Sequence, residues 1–306
     1  MKMSSDEHLD TALSEYNAKI AKLEDSGPVS DLLEALINRG SIFLMMESSI
    51  SALSDFDEAI DIIEDEISSG NDVDTGLYVR AFEGRGRILC GGEPARMAED
   101  YRRIAERLGD LNIHTRYFDL KSIVQLCCGC ADDLIESGLH AQAEPFIHKA
   151  LDVLGSRMGD WEDNRRSDCH ALLGEIYEEA GKVSDAIREY GRAIDIESYL
   201  SERNLIEDRM HLVSDLTARA DMKSKAGDSG GSISDMVRAT DVLEGMLSTG
   251  QCHDPKIMVD LCQTIASQYM EQGNVQESER FLLKAVKHGL PNVEDAMNRL
   301  GIKHSE

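Results

Sequence analysis

Nowhere does the sequence hold an uninterrupted apolar run of eighteen residues, so it offers no segment able to cross a bilayer as a helix. Its start, MKMSSDEHLD, lacks the apolar stretch of a secretory leader, and no N-x-S/T glycosylation sequon occurs. Aromatic residues and proline are scarce, with a single Trp, six Phe and five Pro, while Ala, Leu, Ile, Glu, Asp and Arg abound. That balance argues against a sheet and for helix throughout. Positive charge is short as well: 32 Lys and Arg face 58 Asp and Glu, a formal net charge of -26. A phosphate backbone or an anionic membrane would be repelled on average, which excludes both as expected partners. Seven cysteines, an odd number in no framework pattern, predict reduced thiols and a cytoplasmic protein.

The charge is also uneven. Residues 1 to 75 carry 18 acidic and 4 basic side chains, whereas residues 80 to 107 carry seven arginines against five acids. A basic island therefore sits in an acidic chain. It is either a binding feature or a set of counter-charges to the acids of its neighbours.

What the chain has in plenty is repetition. Residues 169 to 194, CHALLGEIYEEAGKVSDAIREYGRAI, place apolar and small residues three and four apart along two segments separated by a glycine, the pattern of two amphipathic helices and a tight turn. Counted from Gly174, the marks are Tyr177, Gly181, Ala186, Tyr190 and Ala193, at offsets 3, 7, 12, 16 and 19. Small residues let the two helices approach, tyrosines fill the gap between them, and Gly181 supplies a backbone conformation that other residues resist. The same ruler laid from Ala266 finds Tyr269, Gly273, Ser278, Leu282 and Ala285. From Ala131 it finds Leu134, Gly138, Ala143, Ile147 and Ala150, and from Gly40 it finds Phe43, Glu47, Ala52, Phe56 and Ala59. A unit laid from Gly86 fits loosely, and sliding it by one residue brings Tyr101 to the aromatic position. A last helix pair near 200 to 248 has a register left open, because AGDSGGSISD, residues 226 to 235, reads as a widened turn.

On these residues the chain resembles the tetratricopeptide repeat family over about residues 31 to 290. The units are 43 to 46 residues apart rather than 34, and AQAEPFIHKALDVLG, residues 141 to 155, is similar to the longer repeats of the kinesin light chain type. The resemblance implies an all-α fold, a right-handed α-solenoid of about six antiparallel helix pairs. Residues 1 to 30 would supply an N-terminal capping helix, with Leu9, Leu13, Tyr16, Ile20 and Leu23 on its inner face. Residues 291 to 306 would supply a C-terminal capping helix and tail, with Val293, Met297 and Leu300 turned inward.

Several stretches tempt a chemical reading. LCCGC, residues 126 to 130, sets Cys127 and Cys130 in C-x-x-C spacing. On a helix that spacing also points both thiols at the packing face, and a metal would need two further ligands, of which Cys169 and His170 are the natural candidates. Core packing is the preferred reading, with no metal and no cofactor. GRGRILCGG, residues 84 to 92, has Leu89 where a phosphate loop needs its third glycine, and DVDTGLYVRAFE, residues 72 to 83, has Leu77 where a calcium loop needs its sharp-turn glycine. No G-x-S-x-G, H-E-x-x-H or P-loop pattern occurs.

In tetratricopeptide arrays the first helices line a binding groove. The likeness assigns to it Arg80, Glu83 and Arg87, then Gln125, Cys128 and Asp132, then Glu175 and Glu178, then Gln263, Ser267 and Met270, with Ile37 and Leu44 as apolar contacts. Guanidinium pairs hold carboxylates by forked hydrogen bonds. The lysine and asparagine clamp by which some members grip acidic chaperone tails is missing: Ile37, Ser41 and Ala171 stand at those places, and only Asn38 is reminiscent of it. The expectation is a non-enzymatic scaffold that binds a peptide or helix of another protein, with a homodimer left open. The alternative is a sensor that closes around a small peptide or metabolite.

Overall fold

A computed structural model describes residues 5–109, 120–252 and 254–290. The described residues form thirteen α-helices and no strand. They divide into two compact units, residues 1–155 and 156–306.

The first unit begins with α1 (Ser5–Ser26), whose Ile20 is buried and whose Leu9, Leu13, Tyr16 and Leu23 are half-buried. Three helix pairs follow: α2 (Val29–Met45) with α3 (Ser49–Ser68), α4 (Thr75–Leu89) with α5 (Pro94–Gly109), and α6 (Leu120–Glu136) with α7 (His140–Leu154). The second unit has three more: α8 (Asp160–Glu179) with α9 (Val183–Glu202), α10 (Arg209–Lys225) with α11 (Ser229–Ser248), and α12 (Lys256–Glu271) with α13 (Val275–Lys287). Each unit is thus a stack of antiparallel helix hairpins, the repeat architecture that the tetratricopeptide pattern implies. The expected C-terminal capping helix, with Val293, Met297 and Leu300, lies outside the described residues.

The hairpins share one turn. The amide of Lys182 donates to the Tyr177 carbonyl at 2.8 Å and that of Gly181 to Glu178 at 2.9 Å, a helix-terminating motif that needs positive φ at its second turn residue. The same bonds recur from Ser48, Leu139, Asp228 and Asn274 to Phe43, Leu134, Lys223 and Tyr269. Glycine fills the positive-φ place in four of these turns, and Glu47 fills it in the first at φ 57°. The widened turn expected at 226–235 is absent. Ala226, Gly227 and Asp228 make the standard connection, and Ser229, Gly230 and Gly231 already lie in α11, where the Asp228 carboxylate accepts from the Gly231 amide at 2.8 Å. Ala220, Gly227, Ser232, Met236 and Ala239 therefore fall on the ruler without insertion, and Ala220, Ser232 and Ala239 are fully buried. The glycine-rich run was misread as loop because an aspartate cap can hold glycines in a first helical turn.

The unit at Gly86 is the exception. Its turn has an extra residue, and Met97, Tyr101 and Ile104 are the buried set of α5, so the register is the one slid by a residue, with Ala98, Arg102 and Ala105 facing a cavity against α7. The GRGR stretch is helix packing: a Cβ on Gly84 would stand 2.3 Å from the Phe56 ring, and one on Gly86 2.3 Å from that of Tyr101. Asp74 is the N-cap of α4, its carboxylate accepting from the Gly76 amide at 2.7 Å.

A second feature repeats inside the hairpins. Arg39 grips Asp55 through two bonds of 2.8 and 2.7 Å, Arg85 grips Asp100 at 2.8 and 2.6 Å, and Arg219 grips Asp235 at 2.8 and 2.7 Å. Each arginine directly precedes the small packing residue of its first helix, and each aspartate directly precedes the large residue of the second. The equivalent places hold Cys130 and Phe146 in α6 and α7, and Ile265 and Phe281 in α12 and α13, all buried. In α9 the place is taken by Glu189, which receives His170 at 2.9 Å and Arg188 at 2.9 Å. The fold therefore accepts a bidentate ion pair or an apolar pair at one structural position.

Candidate functional site

Five of the seven island arginines are committed to structure. Arg85 holds Asp100 and reaches Asp57 at 2.9 Å, and Arg96 also reaches Asp57 at 2.7 Å. Arg103 pairs with Glu64 of α3, Arg107 bonds Asp72 and the Val73 carbonyl, and Arg102 bridges Glu99 and Glu106 along α5. The island is thus largely the counter-charge to the acidic α3 and its following loop. Arg80 and Arg87 stand where α4 borders cavities shared with α2 and α6.

One cavity, of about 570 Å3, lies between α2 and α4. Ile37, Leu44, Met45 and Phe56 form its apolar part, Ser41 lies among them, and Arg80, Glu83 and Arg87 form its charged wall. The Arg80 guanidinium donates to Asn38 Oδ1 at 2.7 Å, so the asparagine reminiscent of a tail clamp orients an arginine. A second cavity, of about 500 Å3, lies between α4 and α6 and is lined by Glu83, Arg87, Gln125, Cys130, Asp132 and Asp133 among others. Glu83 and Arg87 border both, so the two cavities meet on α4.

The electrostatics of the pair differ. In the α2/α4 cavity two guanidiniums face one carboxyl; in the α4/α6 cavity three carboxyls face one guanidinium. Burial pushes the Glu83 carboxyl above its usual range, opposed by Arg87, whose Nη1 stands 3.9 Å away. Asp133 accepts from the Tyr101 hydroxyl, which is buried under it and raised by that burial. Gly129 also lines this cavity, where a Cβ would meet nothing within 4 Å.

Of the expected groove residues, the structure brings Arg80, Glu83, Arg87, Gln125 and Asp132 together in the first unit, with Ile37 and Leu44. Cys128 is not with them. The α6 residues facing the cavity are Ser122, Gln125, Leu126, Gly129, Cys130, Asp132 and Asp133. Three residues after Gln125 and four before Asp132, Cys128 stands at the edge of their face without lining the cavity, and it is half-buried. Cys130, expected in the core, borders the cavity floor and is 1% exposed, and Cys127 is fully buried. Burial pushes the Cys127 thiol up to about 12 and that of Cys130 well above its usual value. Among the described residues no group of three or more His, Cys, Asp or Glu could hold a metal ion. The remaining expected residues lie in the second unit. Glu175 is exposed on α8, and Glu178 accepts from the Tyr190 hydroxyl at 3.2 Å and from Lys225 at 3.1 Å. Gln263, Ser267 and Met270 are half-buried on one face of α12, and Met270 packs against the core. The Asn38–Arg80 bond and the Gly129 gap were not foreseen; Asn38 stood in the sequence as the one clamp-like residue.

No protein-family profile matches the chain, and no curated protein matches it in sequence. Solved structures do match in fold. BtubC (BKLC) from P. vanneervenii is 14% identical, with a TM-score of 0.51 over 97% of this chain and 94% of that one. Aspartyl phosphate phosphatase F from Bacillus subtilis is 10% identical, with a TM-score of 0.52 over 99% of this chain and 82% of that one. A variant of kinesin light chain TPR-like repeats from Podosopora anserina is 11% identical, with a TM-score of 0.50 over 74% of this chain and all of that one. The chain therefore has a tetratricopeptide-like repeat fold, similar in its long repeats to the kinesin light chain type. Among the described residues no helix is long and apolar enough to cross a membrane.

Proposed function

We propose that the protein is a scaffold that acts by binding, without catalysis, and that its first unit holds a segment of a partner protein along α2, α4 and α6. The observation that carries this reading is the meeting of two cavities of opposite charge balance at Glu83 and Arg87. A fitting segment presents an acidic group to Arg80 and Arg87 beside an apolar side chain for Ile37, Leu44 and Met45. One step further along, it presents a basic group to Glu83, Asp132 and Asp133. Charge would then fix the direction in which the segment lies, and apolar contact would supply most of the desolvation. One structural neighbour bears the name of a phosphatase, but at 10% identity its likeness is one of fold and brings no activity here. The same reading places the protein in the cytoplasm, where its cysteines stay thiols.

Affinity capture from native lysate tests the groove with two variants. Arg80→Glu with Arg87→Glu reverses the basic wall, and Gly129→Gln fills the α4/α6 cavity from a position where a side chain meets no neighbour. Both should lose the proteins that the wild type retains, and equal retention by all three would overturn the assignment. A small metabolite or peptide that raises the melting temperature and contracts the particle in solution scattering would instead favour a ligand-responsive sensor.

A further inference from the structure

In the second unit α9 and α10 bury two carboxyl groups that form no ion pair among the described residues. Glu197 is 2% exposed and Asp215 6% exposed. Glu197 Oε2 and Asp215 Oδ2 are buried and have no hydrogen-bond partner among the described residues. An ionised carboxylate is not sustained in such a place unless paired, and the available remedy is a proton.

The surrounding charges do not supply the pairing. Arg219 lies one turn from Asp215 on α10, but both arms of its guanidinium are taken by Asp235 of α11, which Lys223 also holds at 2.8 Å. On α8, Asp168 adds negative charge; Arg165 holds it at 3.0 Å and His211 Nδ1 of α10 stands 3.7 Å away. Arg165 is shared with Glu207 of the α9–α10 connection, and Arg238 of α11 donates to the Ser198 hydroxyl on α9. Burial, then the charges of Asp215 and Asp168, pushes the Glu197 carboxyl up to about 9. Burial, then Asp168, pushes Asp215 up to about 7 against the pull of Arg219.

We propose that Glu197 and Asp215 form a proton-held latch between α9 and α10, closed while both carboxyls carry their protons and loosened as they ionise in turn. Both groups bind protons more tightly in the fold than in the unfolded chain. Their contribution is therefore complete in mild acid, below the unfolded carboxylate range, and is lost as pH rises through about 7 and on towards 9. Each proton released on opening shifts the opening equilibrium by up to about tenfold per pH unit. The rest of the chain, acidic throughout, adds a general repulsion that a comparison of variants subtracts.

Native-state hydrogen exchange of the full chain, corrected for intrinsic rates, reads the opening of α9 and α10 directly. Between about pH 6 and about pH 9 the wild type should open progressively, by more than tenfold per pH unit below about pH 7, where both protons are released, and by roughly tenfold per pH unit or less above it, while Glu197→Gln with Asp215→Asn stays flat in the same peptides. Parallel profiles for the two proteins would overturn the latch. Infrared difference spectra of wild type labelled with 13C in its carboxyl groups keep the test independent of that variant's folding. A protonated carboxylic acid band should persist at about pH 6 and bleach towards about pH 9, and its absence at the lower pH would also overturn the proposal.

Discussion

Alanine placed at two helical glycines should move stability in opposite directions. Gly84 lies inside α4 and Gly129 inside α6, so each replacement removes the same backbone entropy penalty, a gain of about 0.5–1 kcal/mol. At Gly129 nothing opposes that gain, because the new Cβ enters open cavity. At Gly84 it would stand 2.3, 2.4 and 2.8 Å from three atoms of the Phe56 ring, distances that no real contact tolerates. The ring is 1% exposed and packs against Gly40 as well as Gly84, so it can yield only by shifting along the α2/α4 cavity that it borders. Overpacking of this kind costs about 1–3 kcal/mol. Gly84→Ala should therefore lose about 1–2 kcal/mol net and Gly129→Ala gain up to about 1, with roughly 2–4 °C of Tm shift per kcal/mol for a unit of this size. Urea titrations followed by circular dichroism measure both in the same unit. Shifts of the same sign would refute the packing assigned to Phe56, the cavity assigned to Gly129, or both.

The buried ion pairs make a second test. Arg39→Met strands Asp55, which is 3% exposed, and should cost about 3–5 kcal/mol, whereas adding Asp55→Leu should recover most of it, since another hairpin holds Ile265 and Phe281 at these places. Denaturant titrations of the two variants decide; a single variant within about 1 kcal/mol of wild type would show that Asp55 is not stranded. At the first turn, Glu47→Gly should stabilise by roughly 1 kcal/mol by removing a side chain from positive φ, read as a higher midpoint in the same titration, and a lower midpoint would contradict the turn geometry.

The repeat was legible because its marks are backbone requirements as much as side-chain preferences. A three-residue turn with one positive φ admits glycine readily, and close helix approach admits Ala, Gly or Ser, so Gly174, Ala131, Gly40 and Ala266 announce their units from spacing alone. The fifth such unit, at Ala220, carries the same marks. It was obscured by Ser229, Gly230 and Gly231, residues of low helix propensity that a capping aspartate and the packing of α11 hold in helix. Local propensity lost there to capping and tertiary contact.

Partnership was harder to read, because it is settled between helices. Arg39, Arg85 and Arg219 look alike to any composition count, yet each stands one residue before a small packing residue, with an aspartate fifteen or sixteen residues on. The ruler that found the turns would have found these pairs had it been extended by one place at each mark. Arg80 and Arg87 fall outside that register, and they border the cavity between α2 and α4. The cysteines show the same logic from the other side. Three-residue spacing directs Cys127 and Cys130 into the packing face whether or not a metal is present, and Cys128, one residue along, turns out of that face and is half-buried. Spacing on a helix fixes which face a residue occupies. What lies opposite that face then decides whether an arginine becomes a structural clamp or a contact for a partner.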